Sequence, residues 1–222
     1  MAWAGTTTQI DNFVGGGIIT TTAEATGWAA VLTGTTPTAT RIGEDGGAAR
    51  LTLTNTSESQ LAVLYHKDIL SYDLAKLSNM WWVVKLAAVD AVTNLAVGMA
   101  SAHNATADNV ATNAWFRLIG ATSTTALVVE TDDATNDNDD VATGATLANV
   151  YKRLLIDTSD LTSVKFYVDG ARVAATTTFD MSDISSGLNV QPYISHAKAS
   201  GTGVPILDIA QFGVTYNWSY GA

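Results

Sequence analysis

The chain has 222 residues, 47% apolar and only 14% charged, which excludes a charge-rich disordered polypeptide and leaves enough apolar side chain for one large core. Lys plus Arg number 11 against 21 for Asp plus Glu, and the resulting net charge of -10 argues against nucleic acid as a direct partner. The absence of cysteine excludes a disulfide framework and a thiolate metal site.

Residues 1–20 read as an extended N-terminal arm with a hinge at Gly15-Gly16-Gly17, and 21–222 as a single domain. The opening Met1-Ala2-Trp3-Ala4-Gly5 shows no basic stretch leading into an apolar one, so no secretion signal is read and synthesis in the cytoplasm is expected. Strands follow in chain order. Alternation over 50–54 places Leu51 and Leu53 on one buried face. Between 66 and 77, Ile69, Leu70, Leu74 and Leu77 approach helical spacing, which predicts one short helical turn. The run 80–86 is a strand with at least one of Trp81 and Trp82 facing inward. The stretch 81–98, broken by Lys85, Asp90, Thr93 and Asn94, is too polar for a membrane span.

Further strands are predicted over 95–99, 114–119, 126–130, 153–157, 164–168, 190–195 and 206–216, and 130–144 reads as a polar, acidic loop. The sharpest signal is Asp169-Gly170 between two alternating stretches, the residue pair that suits the two positive-φ positions of a type I′ hairpin turn. With 151–157 before it, the hairpin extends to a three-stranded meander. So many short strands predict an all-β, two-sheet antiparallel sandwich.

The meander, in Tyr151 to Asp157 and Val164 to Gly170, resembles the concanavalin-A-like lectin and laminin-G jelly rolls. Leu207 to Val214 is similar to that family's final core strand, and Gly27-Trp28 with Ala48 to Leu51 to its first edge. The resemblance implies a concanavalin-like jelly roll, a fold shared by carbohydrate binders, hydrolases and purely structural modules. The Thr/Ala/Gly/Asn-rich, acidic, cysteine-free character of the whole chain also resembles the capsid decoration proteins of tailed bacteriophages.

Glycosidases of concanavalin-like fold carry paired carboxylates on a strand facing the sugar groove, often as Glu-x-Asp-x-x-Glu. None of Glu24, Glu44, Glu58 and Glu130 opens that spacing, so the chain is expected not to be an enzyme. The acidic run 130–140 is rich in the oxygen ligands a calcium ion takes but lacks the order of an EF-hand loop, which leaves calcium an alternative to a solvated or partner-contacting loop, with no cofactor the default. His66, His103 and His196 are scattered and read as loop histidines. Trp3, Trp218 and Tyr220, near the termini, are the candidate partner-contact residues.

The function these readings lead to is a virion-surface protein, made in the host cytoplasm, that binds the assembled phage head as a cement. Its partners would be the major capsid protein and neighbouring copies of itself in a homo-oligomer, without nucleic acid or membrane. The alternative is a lectin-like carbohydrate-binding module on a virion or cell surface, with calcium assisting.

Overall fold

The computed structural model describes residues 3–24, 27–183 and 189–220. Among them are seventeen strands: β1 (Trp3–Asp11), β2 (Gly17–Ile18), β3 (Ala29–Thr33), β4 (Thr38–Ile42), β5 (Ala48–Thr52), β6 (Gln60–Tyr65), β7 (Tyr72–Asp73), β8 (Leu77–Ala88) and β9 (Thr93–Ala100). They continue with β10 (Asn113–Ile119), β11 (Ala126–Asp132), β12 (Asp137–Thr146), β13 (Lys152–Asp157), β14 (Lys165–Val168), β15 (Ala171–Val173), β16 (Asn189–Lys198) and β17 (Ile206–Tyr220). The first sheet runs β15-β14-β13-β8-β17-β5-β4-β2, with β1 also paired to β17. The second runs β12-β11-β10-β9-β16-β6-β3, with β7 on β16. The predicted two-sheet antiparallel sandwich is what the chain forms.

Period-two patterning builds the core. In β10, Ala114, Phe116 and Leu118 enter the space between the sheets, and in β8 so do Met80, Trp82, Val84 and Leu86. Trp28 is its aromatic hub, 5.2 Å from the Phe13 ring, 5.4 Å from Phe212 and 5.9 Å from Trp82. Its indole N–H would be stranded at such depth, and it donates instead to Asp11 Oδ2 at 2.7 Å.

The Asp169-Gly170 turn is present, with φ of 51° and 84°, both in the left-handed region a type I′ turn needs. β13, β14 and β15 form the expected meander. Residues 3–11, within the segment read as an arm, form a nine-residue ladder with β17.

The short helical turn expected over 66–77 is present as a 3-10 turn at Leu74–Lys76, where the Asp73 carboxylate accepts from Ala75 N, preceded by the two-residue strand Tyr72–Asp73. Two expectations are corrected. The acidic stretch 130–144 is no loop but the β11–β12 hairpin. Asp133 makes its turn, accepting from the backbone N–H groups of Thr135 and Asn136, while Ala134 takes φ of 70°. β12 is a largely exposed edge strand with only Val141 and Ala145 packed against the core, and with so thin an apolar face it reads as loop. Second, His196 is no loop residue: it lies in β16, fully buried.

Candidate functional site

The outer face of the second sheet carries a cluster of charged and polar side chains around a groove. Strand alternation turns Asn113, Trp115, Arg117 and Ile119 of β10 outward, beside Glu130 and Asp132 of β11. Cross-strand register then sets side chains in rows. One row runs Tyr65, Tyr193, Gly98, Trp115, Glu130; the next runs Ser195, Ala96, Arg117. Gly98 is required: a Cβ there would lie 2.2 Å from the Ala114 carbonyl oxygen, a backbone atom that cannot yield.

At one end, the 101–112 loop covers this face. His103 Nδ1 and the Tyr193 hydroxyl are 2.8 Å apart, the His103 N–H donates to Asp68 Oδ1, and Val110 packs into a cluster with Trp115, Tyr193, Tyr65 and Val63. Trp115 and Tyr193 are therefore wholly buried although they point away from the main core.

Beyond the loop, the small side chains of Ala96, Ser195 and Ala197 lower the sheet floor and two depressions open. One, of about 200 Å³, is floored by these residues and walled by Asn94, Asp108 and Arg117. The other, of about 500 Å³, shares Asn94, Asp108 and Arg117 with it and adds Glu130, Asp132 and the β12 carboxylates Asp137, Asp139 and Asp140. The shared residues make one groove running across the strands.

Arg117 organises the groove. Its guanidinium meets Glu130 Oε2 at 2.5 Å, Asp108 Oδ1 at 2.6 Å and Asp140 Oδ1 at 3.3 Å. One cation therefore holds together carboxylates from a loop and two strands. Glu130 also accepts from Asn113 Nδ2. Burial pushes its carboxyl above the ordinary range, an effect that Arg117 opposes. Asp137 is raised by burial and by the neighbouring Asp139 and Asp132. The groove thus offers many acceptors, the Asn94 amide and one fixed guanidinium: it suits a neutral, hydroxyl-bearing ligand and repels an anionic one. Among the described residues, no group of three or more His, Asp or Glu side chains is arranged to hold a metal ion.

The structure brings together carboxylates that motif reading kept apart, because they come from β11, β12 and a loop rather than from one strand. Arg117 was overlooked, although a lone charge at an outward position of the apolar run 114–119 was a usable signal. Of the tryptophans, Trp82 faces the core and Trp81 the opposite surface. The candidate partner contacts Trp3, Trp218 and Tyr220 have backbones in the β1–β17 ladder, but their side chains lie outside the described residues.

No protein-family model and no curated protein matches the chain. Solved structures do match in fold. The laminarinase from Rhodothermus marinus aligns with a TM-score of 0.65 at 11% identity, over 95% of this chain and 96% of that one. A glycoside hydrolase family 16 endo-glucanase from Bacteroides ovatus aligns at 0.62 and 13%, over 93% and 99%. The carbohydrate recognition domain of Emp47p aligns at 0.58 and 12%, over 90% and 92%. These neighbours establish the concanavalin-like jelly roll. They also correct the expectation of a non-enzyme: the architecture covering nearly the whole chain is one that hydrolases carry as well as lectins, so it gives no ground for excluding catalysis.

Proposed function

We propose that the chain is a carbohydrate-binding, lectin-like module whose ligand lies in the groove on the outer face of the second sheet. The observation that carries this reading is the convergence of Asn94, Asp108, Arg117 and Asp132 on one groove over a floor of small residues. Sugar hydroxyls both donate and accept, and a guanidinium set among carboxylates and an amide answers both needs with charge-assisted hydrogen bonds. The groove's larger depression, about 500 Å³, lies in the range of small-ligand sites. The fold neighbours lend weight to this reading and none to a capsid-coating one.

The test is titration with neutral β-glucan oligosaccharides followed by heteronuclear NMR. Shifts are expected for Asn94, Ala96, Arg117 and Asp132, with Asn94→Ala and Asp132→Asn each weakening binding roughly fivefold or more. Assaying reducing ends in the same mixtures reads out any hydrolysis. An unchanged spectrum across a broad panel of neutral glycans would sink the reading.

A further inference from the structure

The opposite face of the sandwich holds a second cleft of different chemistry. In the first sheet, register aligns an outward row across five strands: Arg172 of β15, Tyr167 of β14, Leu155 of β13, Trp81 of β8 and Gly213 of β17. A polar row of Lys165, Asp157 and Asn79 flanks it. Between them lies a cleft of about 410 Å³, lined by Asn79, Arg153, Leu155, Asp157 and Tyr167 together with serines.

Three layers set the chemistry. The Trp81 ring lies against Gly213, where an added Cβ would sit 2.1 Å from Trp81 Cζ2. The Arg153 guanidinium lies over that ring, 4.7 Å from its centroid. This cation–π contact steadies the guanidinium without using its N–H donors, none of which has a side-chain hydrogen bond among the described residues, so they remain available to a carboxylate. Among the described residues no carboxylate lies within ion-pair distance of the charged groups of Arg153, Lys165 or Arg172, Asp169 accepting only from the Arg153 backbone N–H, whereas Arg41, Arg50, Lys76, Lys85, Arg117 and Lys152 all have one. The one carboxylate lining the cleft, Asp157, has Oδ1 engaged by the Ser159 N–H and hydroxyl.

We propose that this cleft is a site for an acidic saccharide unit: Arg153 takes the sugar carboxylate, Tyr167 and Leu155 take the apolar face of the ring, and Asn79 and Asp157 meet its hydroxyls. The demand for a carboxylate rests on Arg153 and its stacked support. The choice of a sugar ring rests in addition on the carbohydrate-binding reading above. A nucleic-acid strand could also pair Arg153 with phosphate and stack on Tyr167, but a net charge of -10 and Asp157 within the cleft oppose a long polyanion.

The test uses the full chain and a galacturonic acid trimer, with its carboxyl-reduced counterpart, a neutral glucan trimer and a short oligothymidylate as comparison probes. Calorimetry gives affinity and NMR the site. The acidic trimer is expected to shift Trp81, Arg153 and Tyr167, to bind at least roughly tenfold more weakly to Arg153→Ala and Arg153→Lys, and to be unaffected by Asp132→Asn on the other face. Because Arg153→Lys keeps the charge and the stem over Trp81, it separates loss of the guanidinium fork from misfolding, and thermal melts of both variants check the fold. Binding that survives both substitutions, equal binding of the reduced trimer, or stronger binding of oligothymidylate through the same residues overturns the proposal. Failure of neutral glucan at the groove while the acidic trimer still binds here defeats the groove reading alone; the reverse defeats this one alone.

Discussion

His196 makes the acid stability of this fold calculable. Its ring is fully buried in β16 and neither nitrogen makes a hydrogen bond of normal geometry. Burial lowers its pKa to about 4, an effect that the Pro205 carbonyl partly opposes. The unfolded chain takes up a proton below about pH 6.5, whereas the native ring resists until about pH 4. The lowered native pKa therefore contributes stability that is fully present above pH 6.5 and lost as pH falls towards 4. The slope is about 1.4 kcal/mol per pH unit and the total about 3 kcal/mol. Replacing His196 with Leu removes both the proton linkage and two unsatisfied nitrogens. Urea unfolding followed by tryptophan fluorescence at pH 8 and pH 5 is expected to show wild type losing about 2 kcal/mol more than His196→Leu over that interval. His66, also lowered to about 4 by burial, remains in both proteins, so its contribution cancels in the comparison. Parallel losses in the two proteins would refute the assignment.

Gly98→Ala, which drives a Cβ into the Ala114 carbonyl, is expected to cost about 3 kcal/mol or more in the same unfolding assay; a cost below about 1 kcal/mol would show that β9 and β10 can separate freely. Lys198→Met should cost about 3 kcal/mol, because the buried ammonium group donates to the carbonyls of Thr54, Gly201 and Gly203, and hydrogen exchange at 199–205 should rise with it.

The fold was legible where local chemistry and burial agree. Asp169-Gly170 demands positive φ at adjacent positions, and the flanking alternation leaves only a hairpin as the way to use it. β12 was illegible for the opposite reason. Its aspartates favour turns, and only pairing with β11, with Asp140 at φ of 48° and Gly144 at φ of 71° absorbing the irregular register, makes it a strand. The groove was hidden in the same way. Asn94, Asp108, Arg117 and Asp132 are spread over 39 positions of sequence and meet only through the register of β9, β10 and β11 and the path of the 101–112 loop. Trp115 could be placed on a strand, but its concealment depends on that loop folding back over the sheet. Nothing in the local pattern of 101–112 states that.

The two clefts share one construction principle and differ in sign. In each, small outward residues make room: Ala96 and Ser195 leave the floor of the groove in the second sheet, and Gly213 yields its side-chain space to the Trp81 ring that carries Arg153 in the first. In each, a single arginine is held in place and sets the chemistry. Arg117 is spent on Glu130, Asp108 and Asp140, so its groove remains acidic and selects against anions. Arg153 is held by the face of Trp81 instead, which steadies the guanidinium without consuming its donors or its charge. An arginine paired with carboxylates has no net charge to offer an anion, whereas one supported by an aromatic face keeps its charge for a ligand. On opposite sides of one sandwich, the pair would let this chain hold neutral and acidic saccharide units without either site competing for the other's ligand.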